Sequence, residues 1–410
     1  MAASAPTAAP GVNSLRSDAT VISLVGFAHG TSHFFHFVLP PLFPLLMAEF
    51  GLSFTQVGGL MTAFFVVSGV GQALAGFVVD RFGALKVLCG GVALLSLAAL
   101  VMSVAPTYPV LMMGMGLAGL GNCVFHPADF TLLNRRVSAP RLGHAFSVHG
   151  LSGNLGWAAA PVFVLAIAQA SNWRVAVASA GAVGLLALGF LFVNRGLLDD
   201  MQVGTAEPAR RKGGTFAFLR VGVVWMCFAF FLVAVMAFGA LQNFAPPIFQ
   251  RTYGVSLAFA TTGLTAYLLG SAAGTAAGGF FATRGEHQDR LVATALSLAA
   301  LGAVALATVA IPAWALVPMM GLMGMGVGFS GPSRDILVRR AATSSFGSAA
   351  FGRIYGFVYS GIDTGLAIAP IAFGVLMDAG RYTQVLWGVA LLQLLAIATA
   401  LGVGARSRTH

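Results

Sequence analysis

Long apolar runs recur along the whole chain, each bounded by a few polar or turn-forming residues. Several reach the roughly 20 residues needed to cross a hydrocarbon layer about 30 Å thick. This pattern predicts twelve membrane-spanning helices, over about 20–47, 56–79, 86–105, 110–133, 144–168, 174–194, 219–245, 257–283, 290–311, 314–338, 350–376 and 383–404. Most connections between them are short. The longest contains Asp199, Asp200, Glu207, Pro208 and the run Arg210-Arg211-Lys212, and reads as a solvated linker. Residues 1–18 are rich in Ala, Ser and Pro and lack the basic and apolar regions of a cleavable signal peptide. The expected organisation is a disordered tail over 1–18, a six-helix bundle over 19–194, a linker over 195–218, a second six-helix bundle over 219–404 and a tail over 405–410.

Polar residues inside such runs need a reason, because an ionisable group in hydrocarbon costs several kcal/mol unless it is paired or faces water. Two stripes stand out. In span 4, Asn122, His126 and Asp129 are spaced four and three, so they share one helical face. In span 1, His29, His33 and His36 repeat that spacing over about 10 Å of helix rise. Three imidazoles on one face can carry protons, attract an anion when protonated, or bind a transition metal, and any one of them can also be an ordinary core histidine. The metal is the lesser alternative, since helix-borne sites usually recruit carboxylates or thiols and no acid shares this stripe. No metal site or cofactor is therefore assigned.

His149, a few residues into span 5, falls at a depth similar to His126 and Asp129, but spacing does not say whether they face one another. Pro127 is expected to bend span 4, either as a cavity feature or as a plain packing kink. Pro40-Pro41 and Pro246-Pro247 read as breaks at the outer ends of spans 1 and 7, serving as gate tips or simple terminators. Arg334 and Asp335 lie in the last turns of span 10, where they can snorkel to water. The Gly-rich runs at Gly114-Met-Gly116 and Gly321-Leu-Met-Gly324 read as helix-packing surfaces and not as nucleotide loops.

Composition agrees with a membrane protein. Of 410 residues, 58% are hydrophobic and 8% charged, which excludes a soluble globular domain. The net charge of +10 does not point to nucleic acid, because the basic residues sit at the ends of apolar runs. With both termini in the cytoplasm, only Arg174, Arg251 and Arg381 fall outside and Arg334 lies within a span. The other 18 of the 22 Lys and Arg are then cytoplasmic, as the positive-inside rule requires. Cys89, Cys123 and Cys227 are odd in number, lie in apolar runs and have no metal-type spacing, so they read as packing residues.

The two halves repeat one another. His36-Phe-Val-Leu-Pro-Pro-Leu-Phe43 matches Gln242-Asn-Phe-Ala-Pro-Pro-Ile-Phe249 at an offset of 206. Gly76 through Arg81 matches Gly279 through Arg284, Arg135-Arg136 matches Arg339-Arg340, and Gly143 through Pro161 matches Gly352 through Pro370, with Asn154 opposite Asp363. Parallel six-span repeats imply a pseudo-two-fold axis along the membrane normal and a binding site between the halves. Facing that site from the second half, the candidates are Gln242, Asn243, Tyr359 and Asp363.

Gly76-Phe-Val-Val-Asp80-Arg81-Phe-Gly83 resembles the loop 2-3 motif of the major facilitator superfamily of secondary transporters. The resemblance covers essentially the whole chain. It implies the major facilitator fold, an all-α membrane protein of two pseudo-symmetric six-helix bundles, and a cytoplasmic gating role for Gly76, Asp80, Arg81 and Gly83, with Arg284 at the equivalent place. The basic pair usual after the second Gly is replaced by Ala84 and Leu85, with Lys86 one place later. Within the superfamily the chain is similar to the fosmidomycin resistance protein group at His29 with Phe43-Pro-Leu-Leu and Glu49-Phe50, at Val124-Phe-His126-Pro127, and at Gly153-Asn154-Leu-Gly156 with Pro161. It departs where His33 replaces an expected acid, where the acid after His-Pro moves from Ala128 to Asp129, and where Thr131 replaces an Arg.

The function expected is secondary active transport by alternating access: proton-coupled export of a small organic compound, anions and drugs included. The alternative is proton-coupled import of an organic acid or metal chelate. A non-transporting receptor and a lipid enzyme are remote, since the loops are short and the acids few. Substrate contacts are expected at His29, His33, His36, Asn122, His126, His149, Asn154, Gln242, Asn243 and Tyr359. Proton coupling is expected at Asp129, His126, Asp363 and His33. The chain is expected to act as a monomer in a bacterial-type inner membrane, with substrate, protons and lipid as its partners.

The basic-residue distribution makes the orientation testable. Cysteines engineered at Arg211 and His410 should react in intact cells with permeant reagents only. Labelling of either by an impermeant reagent from outside would reverse the orientation.

Overall fold

A computed structural model of the chain describes residues 14–198, 217–282, 288–346 and 351–408. The expected linker falls almost wholly outside these residues, as do Arg211, Arg284 and His410. So do the side chains of Asp80 and Asp335. The described chain is helical and, in order, runs α1 (Leu15–His36), α2 (Phe43–Phe50), α3 (Phe54–Phe82), α4 (Ala84–Ser103), α5 (Tyr108–Asn122) and α6 (Phe125–Arg136). It continues with α7 (Leu142–Ala170), α8 (Trp173–Val193), α9 (Arg195–Leu198), α10 (Gly222–Tyr253), α11 (Leu257–Ala282), α12 (Gln288–Ala307), α13 (Leu316–Phe346), α14 (Phe351–Asp378) and α15 (Tyr382–Arg408). Twelve stretches are long and apolar enough to span a bilayer, as the hydrophobic pattern predicts.

Local chemistry sets several boundaries. Ser14 caps α1 by accepting from the Ser17 amide, and Ser53 with Gln56 forms a reciprocal capping box at the start of α3. Gly83, at φ +86°, both ends α3 and begins α4, a backbone conformation that a side chain would strain.

Prolines divide differently from expectation. Pro40 and Pro41 do end the first long helix, in a short 3₁₀ turn between α1 and α2. Pro246 and Pro247 do not end α10, which continues to Tyr253. Every residue from Gly239 to Phe249 is buried, but so is every residue from Phe34 to Phe43 around the first pair, so burial alone does not separate the two. Span 4 is broken at Cys123-Val124, between α5 and α6, four and three residues before Pro127, where proline's missing N–H would have bonded, as expected. Pro127 then sits in the first turn of α6, where an N–H has no intrahelical partner to lose.

The halves meet in the way a two-fold repeat requires. Span 2 (α3) packs on span 11 (α14), and its symmetry mate span 8 (α11) packs on span 5 (α7). Residues equated by the 206-residue offset touch directly, for the Gln242 side chain donates to the His36 carbonyl at 3.1 Å. Among the described residues, the face opposite the start of α1, the distal face, carries side-chain bonds between the halves. There Asp378, at the end of α14, accepts from the backbone N–H groups of Phe54 and Thr55 and from the Thr55 hydroxyl, and so caps α3 from the other half. Thr62 adds a bond to the Ala367 carbonyl at 2.7 Å.

Close backbone approach depends on glycine. A Cβ at Gly274 would lie 2.2 Å from the Met325 carbonyl oxygen, and one at Gly328 would lie 1.9 Å from that of Ser271. These positions, with Gly270 and Gly324, form a bare seam between α11 and α13, as expected for the Gly321 to Gly324 run. Gly114 likewise packs on Met102, whereas Gly116 faces open space.

The Asp378 cap generates a prediction. Losing a cap of about 1 kcal/mol should change the open-to-closed ratio at the distal face about fivefold. In an Asp378→Ala variant, a cysteine at Thr62 should therefore react several-fold faster with reagents reaching the distal face. An unchanged rate would mean that the cap does not hold the halves together.

Candidate functional site

The two polar stripes face each other. Helix α1 and the α5–α6 pair run antiparallel, so the four-three spacing from His29 to His36 lies beside a three-four spacing from Asp129 to Asn122, each stripe spanning seven residues. His36 meets Asn122, with Nε2 to Oδ1 at 3.1 Å. Two turns away His29 meets Asp129, with Nδ1 to Oδ2 at 3.3 Å. Between these pairs, the His33 and His126 ring centroids are 6.3 Å apart. Glycines make room for the rings: Gly156 lies against the backbone of Gly30, and a Cβ at Gly153 would stand 2.7 Å from His33 Nδ1 and 3.0 Å from His29 Nε2.

One end of this constellation is a closed hydrogen-bond network. The Trp157 indole N–H can only donate, and it does so to His36 Nδ1 at 3.2 Å. That assigns the His36 proton to Nε2, which donates to Asn122 Oδ1. The same oxygen accepts from Ser32 Oγ at 3.0 Å, and Asn122 Nδ2 donates to Ser68 Oγ at 2.9 Å. A parallel bond one turn along joins His126 Nδ1 to Gln72 Oε1 at 3.0 Å.

The other end is open. Asp129 is fully buried, and its Oδ2 is reached by His149 Nε2 at 3.1 Å as well as by His29. The His29 nitrogen is not aligned to donate, and His29 Nδ1, His33 Nδ1 and Asp129 Oδ1 have no hydrogen-bond partner. His29 and His149 stack with centroids 3.5 Å apart. A buried carboxylate among imidazoles, with sites left over, can hold protons in more than one arrangement.

The second half contributes neutral groups. Gln242 and Asn243 are both buried, and their Oδ1 or Oε1 atoms are unpartnered, as is the hydroxyl of buried Tyr267. Asn243 Nδ2 turns back to the Gly239 carbonyl. A ladder of rings joins the halves: His33 stacks on Trp157 at 4.4 Å, Trp157 lies 5.0 Å from Phe238, and Phe238 lies 6.2 Å from Tyr267.

Other expected residues lie elsewhere. Asn154 is half-buried on α7 and takes no part in the network among the described residues. Tyr359 packs on Phe231 at 4.8 Å, and the guanidinium of half-buried Arg334 lies 4.7 Å over that same buried ring. Asp363 lies against Gly69 on α3, away from the histidine contacts. In the motif after span 2, Arg81 is exposed and rests on Phe82, and Gly76 has open space around it. Sequence reasoning missed Ser32, Ser68, Gln72, Trp157 and Tyr267. The four-residue spacing of Ser68 and Gln72, matching that of Asn122 and His126, was the available signal.

With this architecture in view, the family model of the Major Facilitator Superfamily matches residues 25–351. The chain belongs to that superfamily. As a facilitator it is a transporter and not an enzyme, and it is an integral membrane protein. The chain is 24% identical over 388 residues to the uncharacterized facilitator-type transporter YfnC of Bacillus subtilis (strain 168), covering 92% of this chain and 91% of that one. It is 23% identical over 280 residues to the fosmidomycin resistance protein of Escherichia coli (strain K12), covering 66% and 67%. Among solved structures, a bacterial homologue of the human lysosomal transporter Spinster, inward-facing and unoccupied, superposes with a TM-score of 0.73 at 16% identity, covering 97% of this chain and 98% of that one. That likeness speaks to the fold.

The closed network predicts a stability effect. Trp157→Phe keeps a ring against His33 but leaves His36 Nδ1 a buried acceptor without a donor, at a cost of about 1–3 kcal/mol. The thermal midpoint in detergent should fall. An unchanged midpoint would show that the indole bond does not hold His36.

Proposed function

We propose that this facilitator couples proton movement to export of a small organic compound, anions included, with Asp129 as the proton-carrying group. The supporting observation is the open end of the site: a fully buried carboxylate in contact with His29 and His149, one of its oxygens unpartnered. A fixed carboxylate charge at this depth is costly unless compensated. The compensation available is a proton, held either on the acid or on a neighbouring imidazole. Water reaching the pair in one access state favours release, and closure favours the neutral acid.

Export is favoured by the likeness to the fosmidomycin resistance protein, and orientation by the basic residues, which put both termini in the cytoplasm of a bacterial inner membrane. In this reading the substrate sits between the halves. His33 and Trp157 form one wall, with Phe238, Tyr267, Gln242 and Asn243 opposite. The ring ladder suits a compound with an apolar body, and the unpartnered amide oxygens suit donors on it. Asn154, Tyr359 and Asp363 serve this reading as lining groups further along the same interface, and the Asp80 and Arg81 motif as its cytoplasmic gate.

Asp129→Asn should abolish uphill transport driven by a proton gradient in proteoliposomes while leaving substrate exchange across equilibrated membranes largely intact. Asp129→Glu should retain part of the driven activity. Continued uphill transport by Asp129→Asn would remove this residue as the proton carrier.

A further inference from the structure

We infer that His29, His33 and His126 form a binding site for a divalent transition metal such as Zn²⁺ or Co²⁺. One donor atom from each of the three lies within 4.8 Å of the others. Their rings are mutually inclined at 50°, 70° and 65°, so they approach from different directions and are not a parallel stack. A tetrahedral zinc with nitrogen ligands at 2.0–2.1 Å separates its donors by about 3.4 Å, so modest side-chain rotation closes the set around an ion.

The neighbouring hydrogen bonds prepare these nitrogens. Gln72 Oε1 can only accept, so the bonded His126 Nδ1 carries the proton and Nε2 keeps its lone pair. Asp129 Oδ2 stands 3.3 Å from His29 Nδ1 without being aligned as a hydrogen bond, and a small rotation of the ring aligns them, while His29 Nε2 faces Gly153 beside His33 Nδ1. His33 Nδ1 has no hydrogen-bond partner, and it shares the bare face of Gly153 with His29 Nε2. A carboxylate behind one ligating imidazole and an amide oxygen behind another is the arrangement that fixes tautomers at histidine metal sites. No acid lies on the histidine stripe itself, but Asp129 arrives beside it from α6. Three neutral nitrogens favour borderline metals over Mg²⁺ or Ca²⁺. His33 and His126 are only half-buried, which leaves a fourth position open towards the space between the helices.

A second group, His29, Asp129 and His149, also has donors within 4.8 Å of one another. Its two imidazoles are stacked at 23°, so their lone pairs run nearly parallel and do not converge on one ion. His29 is common to both groups. The three-histidine site is therefore the one assigned.

This inference goes beyond the transport reading and is measured without any gradient. Full-length protein free of a histidine tag, in detergent, is titrated with ZnCl₂ calorimetrically and with CoCl₂ by visible absorption. The expected result is one equivalent bound, with the intense visible bands of four-coordinate Co²⁺. His33→Ala and His126→Ala should each weaken binding at least tenfold, Gln72→Ala about tenfold, and His149→Ala and the exposed His144→Ala little. Size-exclusion profile and circular dichroism check folding, and His33→Gln or His126→Gln replaces a histidine-to-alanine variant of the site that fails. Absence of stoichiometric binding overturns the site. Binding lost in His149→Ala but kept in His33→Ala and His126→Ala overturns this ligand assignment in favour of the Asp129 group. A metal-free protein that still transports with the proton gradient leaves the preceding reading standing, so the two fail separately.

Discussion

Asp129 is a fully buried carboxylate on a stretch long and apolar enough to cross a bilayer, and the groups around it must offset that cost. Asp129 has no exposed surface, so its charge or its proton must be managed by protein groups alone. The antiparallel match between α1 and α5–α6 provides that management. A four-three spacing on one helix, met by the reverse spacing on the other, sets a ring opposite each polar group over two turns. Break the register by one residue and Asp129 loses His29 while Asn122 loses His36.

Register of this kind needs close helices, and here glycine matters more than any single hydrogen bond. Bare positions at Gly30, Gly153 and Gly156 let α7 approach α1 until the His33 ring lies on backbone. The same device holds α11 to α13 in the second half through Gly274 and Gly328. Without a hydrophobic drive between helices in lipid, this contact area is the main source of packing energy. The glycines that look dispensable in the sequence therefore set the geometry of the polar site.

Much of this was legible before the structure. Period made the stripes visible, because a four-three spacing can only mean one face of a helix, and the offset of 206 made the two halves visible. Facing was not legible: neither stripe says what it points at, and His149 could not be placed against Asp129 until α7 was docked. Trp157, Ser68 and Tyr267 look like ordinary residues of apolar helices, and their roles exist only in the fold. The prolines misled in an instructive way. Pro246 and Pro247 resemble Pro40 and Pro41 residue for residue, yet only the earlier pair ends a helix; both segments are buried, and local sequence does not report the difference.

The repeat also separates chemistry from its counterpart. His36 and Gln242 occupy equivalent places and meet at the axis, one titratable and the other not. Among the described residues the histidine network and its acid belong to the first half, and the second half presents amides, a phenol and aromatic rings. The histidine cluster lies on one wall, so a change in its protonation acts first on that wall, although Asp363 of the second half brings a carboxyl group against Gly69 at the same interface. The His36 carbonyl, at the end of α1, accepts from Gln242 and so joins the histidine network to the second half. The polar groups around His36 are paired with one another, whereas two turns away Asp129 Oδ1, His29 Nδ1 and His33 Nδ1 are left without partners.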